Sequence, residues 1–164
     1  VDTNILVYRR DPRDPRKQAL AADLLRRGLE AQTLAIAYQA VVEFVAATAR
    51  PQEDVGGQPL LEAAQALGEA EELLTQFPVL YPSRDHLVAA LRATTFYGLA
   101  WFDAQMWAYA ELGGIRELLS EDFQHGRHYG TVRAVNPFLQ EGSAVHELPP
   151  LYAEAAKPTR PARR

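Results

Sequence analysis

The sequence contains no cysteine, which excludes disulfides, thiolate nucleophiles and Cys-ligated zinc at the outset. It has no uninterrupted run of about 18–20 apolar residues, so no transmembrane helix is expected. The basic-then-apolar layout of a secretory leader is missing from its start, and the reading is a cytoplasmic protein. Positive charge is not in surplus: 17 Lys+Arg stand against 21 Asp+Glu, a net charge of −4. That balance argues against broad, nonspecific phosphate binding, yet it leaves room for a site in which carboxylates hold cations. Lysine itself is scarce, with only Lys17 and Lys157, which beside so many alanines reads as a coding bias. Internal repeats are absent.

What is present suits one domain. The chain has 164 residues, 48% hydrophobic and 23% charged, enough for a core. Short apolar stretches alternate with helical patterns. By composition alone Ile5-Leu6-Val7-Tyr8 passes for a buried strand. Asp14-Pro15 reads as an N-cap with proline in the first turn, opening a helix to about Arg27 with Gly28 as its stop. Thr33–Ala37 reads as a strand, Gln39–Ala49 as an apolar helix, and 51–58 as a loop. Pro59–Gln76 is a helix, Val79–Tyr81 a strand, and Ser83 caps a helix ending near Gly98. Trp101–Leu112 is a helix closed by Gly113-Gly114. Glu117–Ser120 is a strand, 121–130 a polar loop, and Thr131–Val135 the last strand. This alternation implies an α/β fold with a parallel sheet covered on both faces. After Phe138 the composition shifts to a tail with Pro149-Pro150, Pro158, Pro161 and Arg163-Arg164, read as a flexible or partner-dependent extension.

Four acids depart from the usual exposed pattern. Asp2 adjoins an apolar run, Glu43 is embedded in Gln-Ala-Val-Val-Glu-Phe-Val, Asp103 lies between two tryptophans, and Asp122 follows the strand Glu-Leu-Leu-Ser. Singly, each has an ordinary reading as a cap, a turn residue or a solvated helix position. Jointly they suggest more, because ligands of open α/β sheets bind beyond the carboxyl ends of the strands. Acids gathered there repel one another unless protonated or neutralised. No Lys or Arg is close to them in sequence, so a hard divalent ion is the simplest counter-charge. Ions held by Asp and Glu suit phosphodiester hydrolysis.

At these residues the sequence resembles the PIN-domain ribonucleases, in particular the VapC-type toxins of bacterial toxin–antitoxin pairs. The resembling segments are Val1-Asp2-Thr3-Asn4, Gln39-Ala-Val-Val-Glu43-Phe44, Phe102-Asp103-Ala104, Leu118-Leu119-Ser120-Glu121-Asp122, and Asn136-Pro137-Phe138. They occur in order over residues 1–139. The resemblance implies a three-layer α/β/α PIN-like domain with a central parallel sheet, and a Mg²⁺- or Mn²⁺-dependent endoribonuclease. It implies Asp2, Glu43, Asp103 and Asp122 as catalytic, metal-binding acids, with Thr3, Asn4 and Ser120 hydrogen-bonding around them. It further implies an RNA substrate, a cognate antitoxin and a homodimer. It turns Ile5–Tyr8 into a helix and moves the first strand upstream, where only Val1 stands, so that strand is expected to be truncated. Residues 140–164 have no counterpart.

Other features carry two readings each. The basic segment Arg9 to Lys17 is either a solvated helix entrance or an RNA-backbone contact through Arg9, Arg10 and Arg13. Phe96, Tyr97, Trp101 and Trp107 either stack on bases or form core and dimer contacts. His125 and His128 read as residues of a glycine-flanked loop and not as a zinc pair; His125 is either a contact to RNA phosphate at the cleft mouth or a plain loop residue. A catalytically silent PIN-like RNA-binding or protein-interaction module is the alternative function. A haloacid-dehalogenase-like phosphatase with Asp2 as nucleophile requires a second Asp at position 4, where Asn4 stands.

Overall fold

A computed structural model describes residues 1–53 and 56–139; the 140–164 extension lies outside the described residues. The chain runs α1 (Thr3–Tyr8), α2 (Pro15–Glu30), β1 (Ile36–Ala37), α3 (Tyr38–Thr48), α4 (Ala63–Gln76) and β2 (Val79–Leu80). It continues through α5 (Arg84–Tyr97), α6 (Trp101–Leu112), β3 (Glu117–Leu119), β4 (His128–Tyr129) and β5 (Val132–Val135).

Local chemistry sets most boundaries. Asp2 caps α1, so Ile5–Tyr8 is helical, as the family resemblance implies and against its strand-like composition. Asp14 caps α2 through the amides of Arg16 and Lys17, with Pro15 in the first turn. Ser83 caps α5, and Gly98 ends it at φ 68°. Two boundaries depart from the sequence reading. Gly28 does not stop α2, which continues to Glu30; a Cβ at Gly28 would lie 2.1 Å from Leu34 Cδ1. That glycine is needed for close packing, and the left-handed turn falls on Gln32 at φ 54°. The helix expected from Pro59 starts at Ala63, because Glu62 and Gln65 form a reciprocal capping box and Leu61 N–H is spent on Thr48 O.

The sheet is α/β in character, and its described strands fall into two groups. β1 pairs with β2 in parallel, Ile36 opposite Val79. β3 pairs with β5 in parallel, Leu118 opposite Ala134. β4, inside the stretch expected as a loop, joins β5 antiparallel. Val1 and Asp2 run between the groups: the Val1 amine donates to Ala35 O (3.1 Å) and Asp2 N–H to Leu119 O (3.0 Å). Helix α6 is apolar on nearly every side, with Ala104 and Met106–Ala110 buried, which marks it as the central helix. Ile5, Leu6, Ile36, Phe44, Leu73 and Val132 form the tightest part of the core. Packing of α1 against α3 brings Thr3 beside Glu43. No helix among the described residues is long and apolar enough to cross a membrane.

Candidate active site

One cleft, about 470 Å³ in volume, collects residues from four separate segments. Asp2 enters from the start of α1, Glu43 from the second turn of α3, Asp103 from the first turn of α6, and Asp122 from the loop after β3. Asp122 thus lies beyond the carboxyl end of a parallel strand, where open α/β sheets place their ligands. All four sequence-selected acids line this cleft.

Each acid is held differently. Asp2 is 8% exposed. Its Oδ1 accepts from Thr3 N–H (2.6 Å), and its Oδ2 accepts from the Ser120 hydroxyl. Ser120 is fully buried and accepts from Asp122 N–H (3.1 Å), so one hydroxyl couples two of the acids. Thr3 Oγ1 donates to Glu43 Oε2 (2.6 Å), and Asn4 Nδ2 donates to Asp122 Oδ2 (3.0 Å). Thr3, Asn4 and Ser120 thus each donate to a cleft carboxylate. Asp103, half-buried, receives no hydrogen bond among the described residues.

Burial decides the electrostatics. Burial pushes the Asp2 carboxyl up to about 6, outweighing the hydrogen bonds from Ser120 and Thr3 that favour its charge. Burial, then the charges of Asp122 and Glu43, also raises Asp103. The acids thus sense one another across the cleft.

The cations do approach through folding, and they are spoken for. Lys17 Nζ donates to Glu121 Oε2 (2.6 Å) and to Tyr8 OH (3.2 Å), while Tyr8 OH donates to Glu121. Glu121 is thereby neutralised, unlike its neighbour Asp122. Arg13 lines the cleft, gripped by Asp11, which is only 4% exposed: Nε to Oδ1 is 2.8 Å and Nη2 to Oδ2 is 2.5 Å. Arg9 and Arg10 face elsewhere, both onto Glu69 of α4 at 3.1 and 2.7 Å. The three arginines selected from the sequence are thus split, with one at the cleft and two away from it.

Gln39 and Phe102 are among the cleft residues that the sequence reading did not select. Gln39 Nε2 donates to Glu43 Oε1 (2.8 Å) and to Phe102 O (3.3 Å), tying α3 to the first turn of α6. Its i,i+4 spacing to Glu43 was the available signal. Phe102 is 63% exposed on the cleft wall. Of the aromatics selected instead, Trp107 is core and donates to Tyr129 O, and Tyr97 packs against it.

The donor set suits a hard divalent ion: carboxylates, plus Asn4 Oδ1 and Gln39 Oε1, two buried carbonyl oxygens without a hydrogen-bond partner among the described residues. Among the described residues no three acids converge as a ready-made chelating group; three of the four accept hydrogen bonds from neighbouring side chains.

The chain's similarity to known proteins agrees with this layout. No curated protein matches it. The model of the PIN domain matches residues 1–130, a span that contains all four acids. PIN domains are typically nucleases and generally use divalent metal ions. The chain belongs to the PIN-domain family.

Proposed function

We propose that the protein is a Mg²⁺- or Mn²⁺-dependent endoribonuclease, the toxin of a VapC-type toxin–antitoxin pair. The observation that carries this reading is the meeting of Asp2, Glu43, Asp103 and Asp122 in one cleft from four distant segments. A bound divalent ion supplies Lewis-acid charge and lowers the pKa of its water. The chain's own part is to hold that charge and to aim the substrate. Ser120 orients Asp2, Thr3 and Gln39 orient Glu43, and Asn4 orients Asp122. Tolerating four acids together costs free energy in the metal-free protein, which is what makes the cleft selective for cations over neutral ligands. RNA incubated with the wild type and either ion tests the proposal: internal cuts that stop on chelation support it.

The second reading is a catalytically silent PIN module. That no three acids converge among the described residues favours it; it requires that the wild type cut no RNA with either ion.

Arg13 is the residue for the RNA backbone, since Asp11 fixes its guanidinium at the cleft. Arg13→Glu is expected to weaken RNA binding about tenfold, as loss of one charged hydrogen bond implies, and to reduce the salt slope by about 1. Arg10→Glu should change neither, because Arg10 points to Glu69 of α4 and does not line the cleft. Equal losses in the two variants, read by salt-dependent filter binding, would place the RNA path elsewhere.

The partner readings are a homodimer and an antitoxin segment in the cleft. Leu91 and Phe96 of α5 are 58% and 82% exposed and line one groove, an apolar patch that supports self-association. Phe96→Asp should convert a dimer to a monomer in sedimentation; an unchanged profile removes this face from the interface. Co-purification from the native host tests the antitoxin.

A further inference from the structure

Phe102 is an apolar ring where a polar side chain would be expected. It is 63% exposed and lines the acidic cleft one residue before Asp103. The ring adds apolar aromatic surface to a wall otherwise rich in acids, surface that a stacked aromatic occupant would cover. The ring's backbone is not free to drift. Gln39 Nε2 donates to the Phe102 carbonyl and, through the same nitrogen, to Glu43 Oε1. That strut fixes the residue carrying the ring at a set offset from Glu43 and from Asp103 beside it. An exposed aromatic ring on a backbone anchored beside the carboxylate cleft matches the π-face of an unpaired nucleobase, which stacks without regard to base identity. A base within a duplex offers no free face, so the fit is to single-stranded RNA.

We propose that Phe102 is the stacking platform for a nucleobase next to the scissile phosphate, with Gln39 as the positioning residue that holds it. The inference rests on the endoribonuclease reading and adds to it the residue that distinguishes single-stranded from paired RNA. Binding is read in the Asp103→Asn background, so that RNA is not cut, by fluorescence anisotropy with a single-stranded oligonucleotide and with its duplex. Adding Phe102→Ala should weaken single-strand binding by about 5- to 100-fold and leave duplex binding unchanged. Phe102→Trp should restore the affinity and show indole quenching beyond that of Trp101 and Trp107 when the strand binds. Mn²⁺ affinity and melting temperature of Phe102→Ala, made in the otherwise wild-type chain, should match those of the wild type. Equal single-strand affinity with and without the ring overturns the assignment and leaves Phe102 to a protein partner; equal losses on strand and duplex overturn it too. A wild type that cuts RNA while the ring proves dispensable sinks this inference alone, whereas a wild type that neither binds Mn²⁺ nor cuts sinks both.

Discussion

Asp103→Asn is expected to abolish metal-dependent RNA cleavage, with a loss of about 10³-fold or more in kcat/KM. Its carboxylate receives no hydrogen bond among the described residues, and burial together with Asp122 and Glu43 raises its pKa. No neighbouring donor would substitute for a cation on it, so it is the acid most dependent on one. Removing it takes away several kcal/mol of charge stabilisation at the reacting phosphate, and each 1.36 kcal/mol is a factor of ten in rate. The measurement is the rate at which new RNA ends form with Mn²⁺ or Mg²⁺. Induction of the wild type in a bacterial host should halt growth, and induction of the variant should not. Equal cutting by both purified proteins would point to a contaminant or a different site.

Asp2→Asn should act in the opposite direction on stability. The folded protein holds the Asp2 proton up to about pH 6, against an ordinary value of 3.8. Folding therefore takes up a proton between those values, and stability falls as pH rises through that window. At neutral pH the displacement amounts to about 3 kcal/mol of unfavourable burial. An asparagine escapes that cost, keeps an acceptor for Thr3 N–H and can donate to Ser120. With metal chelated, the variant should gain up to about 3 kcal/mol at pH 7.5 and almost nothing at pH 3.5, where both states of the wild type are protonated. Urea melts at the two pH values check this. A variant less stable than the wild type at both would mean that the Ser120–Asp2 hydrogen bond matters more than the buried charge. The same variant should lose Mn²⁺ binding, so stability and function pull against each other at this residue.

The four acids were legible because each lies within or beside an apolar stretch, and an ionised group in such a setting requires a reason. Helix limits were legible where caps announce them, as at Asp14 and Ser83. The failures have physical causes. Ile5–Tyr8 reads as strand because a short buried run carries no period, and only the capping of α1 by Asp2 makes it helical. Gly28 reads as a stop because a glycine's packing role, here against Leu34, leaves no local trace. Arg9, Arg10 and Arg13 read as one patch, yet the turn after α1 sends two of them to Glu69, at separations of 60 and 59 residues, while Arg13 is held locally by Asp11 two residues before it. Gln39 announces Glu43 by its spacing, but its second partner, Phe102 O, is 63 residues away and beyond any local pattern.

The most direct test is a Mn²⁺ titration of the apoprotein at pH 7.5, followed by electron paramagnetic resonance, for the wild type and for Asp103→Asn. Saturable loss of the free-ion signal in the wild type, greatly weakened in the variant and weakened again in the wild type below pH 6, is the expected result. Unbound Mn²⁺ at every concentration, or identical curves for the two proteins, would mean that these carboxylates share a cleft without sharing an ion.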